Sequence, residues 1–216
     1  MKKNISNIQF KKTKDISVCG RSIVEMLGVL AIVGVLSIGG IAGYVTASRN
    51  LRINNLKDEV STIVANIRSM YFSAKDYDNL NEIVLINAGL IPDWMVGDDR
   101  TSIYNKAKGT VYIEAAAVGD QEYGGFILIF NGLDAYTCRE LAISDWGSDM
   151  ASGFLGMTIK NDGDLTVDTS NLTDAELQSG DTTILAKDLA SGTLNQVYDL
   201  CNCGNMNLCA IAWKFQ

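Results

Sequence analysis

The sequence predicts an α+β fold: one long N-terminal α-helix packed on an antiparallel β-sheet, with a disulfide-closed C-terminal region. Three observations predict it. No proline interrupts Arg21 to Ser73, and this stretch is apolar all round in its first half and amphipathic in its second. Short runs rich in β-branched and aromatic residues, separated by Gly-containing breaks, follow in the middle of the chain. Four cysteines, Cys138, Cys201, Cys203 and Cys209, lie towards the C-terminal end.

Residues 1–20, MKKNISNIQFKKTKDISVCG, carry five Lys and one Asp and read as a polar targeting segment outside the fold. Taking them from the 18 basic and 25 acidic residues of the whole chain leaves 13 basic and 24 acidic, a net charge of −11 for residues 21–216. A basic leader ahead of an acidic remainder puts the leader on the cytoplasmic side and the rest outside. The acidic balance argues against nucleic acid as a main partner.

A short polar patch with one carboxylate, Glu25, precedes an uncharged apolar run from Met26 to Val45. As a helix those twenty residues cross about 30 Å of hydrocarbon. A glutamate at the mouth of such a segment is costly unless a cation meets it. A secretory signal peptide with a cut near Val45-Thr46-Ala47 fits less well, because its apolar core is shorter and it leaves Glu25 unexplained. A plain signal anchor leaves Glu25 unexplained too. Nothing flanking the run looks able to bury it as a core helix.

Beyond the run, Leu56, Val60, Ile63, Val64, Ile67, Met70 and Tyr71 recur at helical spacing, with Arg52, Asp58, Glu59, Thr62, Asn66 and Arg68 elsewhere around the axis. One helix from Arg21 to Ser73 would be about 80 Å long. Its first half must meet lipid or other copies of itself, whereas its second packs on its own domain. Gly28, Gly34, Gly39, Gly40 and Gly43 weaken the apolar half as an isolated helix: Gly39-x-x-x-Gly43 lets helices approach closely, and the glycines also allow the half to melt locally.

Asn79-Leu-Asn-Glu82 starts a short helix, which Gly89 and Pro92 stop. Thr110–Ala117 and Gly125–Phe130 read as strands, and Asn131–Ile143 as a helix carrying Cys138. Met157–Lys160 and Leu165–Asp168 flank Asn161-Asp-Gly-Asp164, a hairpin signal; the alternative, a calcium loop, lacks EF-hand ligand spacing. Thr173-Asp-Ala-Glu176 fits a capping box, Thr193–Leu200 one or two helical turns, and Asn207–Phe215 a final strand. Trp146 and Phe154 are expected in the core rather than as contact residues.

Cys19 lies in the leader, and the remaining four cysteines of an exported domain read as two disulfides. A bond from Cys201 to Cys203 would be strained, so Cys138 pairs with Cys201 or with Cys203, and Cys209 takes the other. The chain has no His, which removes most catalytic triads and metal sites, and it shows no phosphate loop or serine elbow. No enzyme activity, metal or cofactor is expected.

Gly20, Glu25 five residues on, and the apolar run together resemble the signature of type IV prepilins and type II secretion pseudopilins. The 20-residue leader looks more like the type IVb group, as does the A-G-L-I-P turn at Ala88–Pro92. The resemblance implies cleavage between Gly20 and Arg21 by a prepilin peptidase, N-methylation at Arg21, and polymerisation through the apolar helix into a surface filament. The family's first mature residue is usually Phe or Met, and Arg21 departs from that. The implied division is a leader at 1–20, a transmembrane and assembly half-helix at 21–50, and a globular head at 51–216. The implied partners are further copies of the chain, the peptidase, the inner-membrane assembly machinery, and the membrane before assembly. Glu25 would pair with the α-amino group of a neighbour's Arg21, which exists only after cleavage. A minor pilin or a secretion pseudopilin is the nearest alternative, and a membrane-anchored periplasmic binding domain or enzyme is the alternative of another class.

Overall fold

A computed structural model describes residues 22–147, 152–161, 183–186, 194–204 and 208–216. The predicted hairpin partner at 165–168, the turn at Asp162–Asp164 and the capping box at 173–176 lie outside them, as does the leader. The chain divides into two compact units, residues 1–46 and Ala47–Gln216.

Helix α1 runs Ile23–Tyr71. It ends two residues short of the predicted Ser73. In the first unit every large apolar side chain from Ile23 to Val45 is exposed. By length and composition α1 is long and apolar enough to cross a membrane. Two hydroxyls along this part of the helix bond back to it, Ser37 to the Val33 carbonyl at 2.7 Å and Thr46 to that of Ala42 at 3.1 Å. Neither of these two hydroxyls is therefore left unpaired on the apolar surface.

The second unit contains the rest of α1, helices α2 (Glu82–Asn87), α3 (Ala135–Ala142) and α4 (Leu194–Leu200), and a 3₁₀ turn at Asp93–Met95. Its six strands are β1 (Ile103–Tyr104), β2 (Thr110–Val118), β3 (Gln121–Leu133), β4 (Phe154–Lys160), β5 (Thr183–Leu185) and β6 (Cys209–Phe215). They form one antiparallel sheet in the order β1-β2-β3-β6-β4-β5. The last strand in sequence thus lies between β3 and β4. Trp213 faces Leu128 on one side and Met157 on the other.

One sheet face and the apolar stripe of α1 make the main core. Leu56, Val60, Ile63 and Ile67 pack with Val111, Ile113, Phe126, Leu128, Phe130, Ile211 and Trp213. Ala116, Ile127, Ile129 and Ala212 form a second buried cluster. Their alternation with the first set along β2, β3 and β6 assigns them to the opposite face. Burial on both faces is why Gly125–Phe130 and Cys209–Trp213 read as continuous apolar runs. Phe154 is buried and Trp146 packs half-buried on the core, its ring 5.2 Å from that of Trp213.

The helix predicted over Asn131–Ile143 begins later. Asn131–Leu133 continue β3, and α3 starts at Ala135, where the Asp134 side chain accepts from the Thr137 N–H at 2.9 Å. The reason is an irregularity in the β3–β6 pairing between Phe130 and Leu133, with Gly132 at φ 73°. Gly109 and Gly132 let the backbones meet here: a Cβ on Gly109 would stand 1.7 Å from the Asn131 carbonyl oxygen. Asn81 caps α2 by accepting from the Val84 N–H at 3.0 Å, and Gly89 follows at φ 69°.

Candidate functional site

Glu25 lies in the first turn of α1, where a carboxylate favours the helix dipole. The Glu25 and Met26 amides donate to the Ser22 carbonyl at 2.9 and 3.2 Å. The side chain is exposed and makes no ion pair among the described residues. It borders a shallow groove with Met26, Gly28, Val29 and Ile32. A Cβ at Gly28, Gly34, Gly39, Gly40 or Gly43 would meet nothing within 4 Å, so this surface is open to a neighbouring helix. Gly20 and Arg21 lie outside the described residues.

The second candidate feature is the cysteine cluster. Cys138 on α3 is bonded to Cys201 just after α4, and Cys203 to Cys209 at the start of β6. All four are buried. Of the two pairings left open by spacing, the fold takes the one that joins Cys138 to Cys201 and leaves Cys203 to close the short loop to Cys209. The first bond spans 63 residues and the second six. Cys203 sits at φ 56°, a left-handed conformation in the tight turn between them.

Polar residues of α1 fasten the head. Arg52 pairs with Asp134 at 2.5 Å, tying α1 to the cap of α3. Asn66 Nδ2 donates to the Leu90 carbonyl at 2.6 Å, and Arg68 donates to the Gln216 carbonyl at 2.8 Å while lying over the Phe215 ring. Glu59 corrects the sequence reading. Expected away from the apolar stripe, it is only 4% exposed. It lies between Leu56 and Ile63 along the helix, at the stripe's edge, and the chain around Lys106 covers it.

Glu59 Oε2 accepts from the Lys106 N–H at 3.2 Å, and Oε1 has no hydrogen-bond partner. Glu59 borders a cavity of about 320 Å³ with Asn55, Asp58, Thr62, Pro92, Trp94 and Lys106. The Lys106 ammonium lies 3.7 Å from the centre of the half-exposed Trp94 ring. Glu59 belongs to the folded head, beyond the apolar run that ends at Val45. Burial pushes its carboxyl up to about 7, against the lowering effect of the Lys106 N–H and ammonium. Nothing in the linear pattern marks this residue, since Asp58 beside it has the same chemistry and stays less buried.

Among the described residues no group of three His, Cys, Asp or Glu is placed to hold a metal ion.

The family described as PilS N terminal matches residues 50–188. Among solved structures, the fold is similar to the crystal structure of TcpA, a type IV pilin from Vibrio cholerae El Tor biotype. The two are 17% identical, with a TM-score of 0.53 over 77% of this chain and 99% of that one. No curated protein matches the sequence. The likeness to TcpA concerns the fold. With its family match across most of the head and this architecture, the chain belongs to the PilS family of type IV pilins.

Proposed function

We propose that the protein is the structural subunit of a type IV pilus-like surface filament, cleaved after Gly20 and polymerised through residues 21–50. The observation that carries this reading is the first half of α1. Every large apolar side chain from Ile23 to Val45 is exposed, a combination stable only in lipid or against like helices. The subunit waits in the inner membrane with its acidic head outside, then moves into the filament. It acts by assembling and not by catalysis.

Glu25 selects processed subunits. Cleavage by a prepilin peptidase would free the α-amino group of Arg21, the cation that a neighbour's Glu25 lacks beforehand. The Arg21 guanidinium adds a second positive charge at the same point, and the new terminus is the expected site of N-methylation.

Mass spectrometry of the N-terminal peptide from filaments sheared off cells tests the reading. The expected terminus is Arg21, with or without one added methyl. A terminus at Met1 in protein confined to membranes would favour a plain anchored domain, and one near Ser48 a secreted one. Glu25→Ala is expected to leave cleavage intact and to stop assembly; wild-type incorporation of that variant would refute the pairing. A minor pilin or pseudopilin would show the same terminus at low abundance, which quantifying the subunit in sheared material distinguishes.

A further inference from the structure

Lys106 approaches Glu59 with its backbone and bypasses it with its side chain. The N–H donates to Oε2 at 3.2 Å, yet the ammonium rests on the Trp94 ring at 3.7 Å and makes no ion pair with the carboxyl. Glu59 Oε1 meanwhile is enclosed and without a partner. A lysine stem is long and flexible, and an ionised carboxylate this poorly solvated attracts an ammonium more strongly than an indole face does. The arrangement fits a neutral Glu59.

We propose that Glu59 and Lys106 form a proton-operated switch: the Lys106 ammonium rests on Trp94 while Glu59 is protonated, and moves onto the carboxylate when Glu59 ionises. Three elements meet at the cavity. From α1, Asp58 adds a like charge that favours the protonated form, while Asn55 and Thr62 contribute neutral polar groups. From the turn between β1 and β2, Lys106 supplies the one cation lining it. From the connector, Pro92 and Trp94 present no charge. The step breaks no covalent bond; the proton goes to solvent through the cavity. Its outcome appears at the surface, because Trp94 is 52% exposed and loses the cation covering one ring face. The head would thus present an uncovered indole above neutral pH and a cation-capped one below it. This holds for the folded head whether or not the chain polymerises.

The test is NMR of the full chain in detergent micelles, labelled with [ε-¹³C]lysine and assigned with Lys106→Arg. In the wild type the Lys106 ε-protons are expected upfield at pH 5.5, shifted by the Trp94 ring current. They should move downfield with a midpoint near 7. In Glu59→Gln they should stay upfield to pH 8.5. A wild-type signal that does not change between pH 5.5 and 8.5 would overturn the switch, and so would an unchanged titration in Glu59→Gln. Should that variant not fold, the Glu59 carboxyl carbon of the wild type decides. A shared midpoint with Lys106 supports the switch, and a carboxylate already ionised at pH 5.5 refutes it.

Discussion

Glu59 makes the stability of the head depend on pH with a sign opposite to that of most carboxylates. Its carboxyl titrates at about 7 when folded and at 4.5 as the unperturbed value, so the folded state holds its proton more tightly. Below 4.5 both states are protonated and the contribution is complete. As pH rises to about 7, the unfolded chain has already ionised while the folded one has not, and stability falls; above that the loss is constant. Asp99 acts in the other direction. Hydrogen bonds from Ser102 and Thr101 hold it well below the usual range, so its contribution is lost only as pH falls below 3.8. Between pH 5 and pH 8 the wild type is therefore expected to lose about 1–2 kcal/mol more than Glu59→Gln. That is less than the whole shift implies, because the adjoining cavity admits water. Guanidinium unfolding of both proteins at the two pH values measures it. This residue was not legible in the sequence: its helical position lies on the border of the apolar stripe, and only the covering turn at Lys106 buries it.

The elements themselves were largely legible. α1 follows from an unbroken helical period without proline, and β2 is predicted to within one residue of its end, because alternation and β-branched residues act locally. Strand β3 was read too short at both ends. Gln121–Gly124 carry little β signal and are strand because they pair back on β2, and Asn131–Leu133 because they run on beside β6. The join between β3 and α3 depends on the Gly109–Gly132 approach. Gly109→Ala would drive its Cβ into the Asn131 carbonyl and is expected to cost about 3 kcal/mol. An equally conservative Gly119→Ala tests the comparison; there the cost is strain at φ 56° alone, with nothing within 4 Å, and a loss of about 1 kcal/mol is expected. Equal destabilisation in thermal melts would mean that the close approach contributes nothing.

At the scale of the whole molecule the two disulfides differ in what they constrain. The Cys138–Cys201 bond closes 63 residues and restricts the unfolded chain by about 4 kcal/mol in the entropic account, the Cys203–Cys209 bond by about 2 kcal/mol. Replacing Cys138 and Cys201 by Ala in the full chain is thus expected to lower stability about twice as much as replacing Cys203 and Cys209, read from denaturant midpoints at constant slope. The sequence by itself determined the long two-part helix, the exposed apolar half that leaves Glu25 at its mouth, the main strands, and the presence of two disulfides. These rest on local periodicity and composition, which act within a few residues. Only the tertiary structure decided which cysteines pair, that β6 enters between β3 and β4, and that Glu59 rather than Asp58 is buried. Each of those depends on segments tens of residues apart arriving at one place, where packing and the cost of burying a charge select among arrangements that the linear pattern leaves equal.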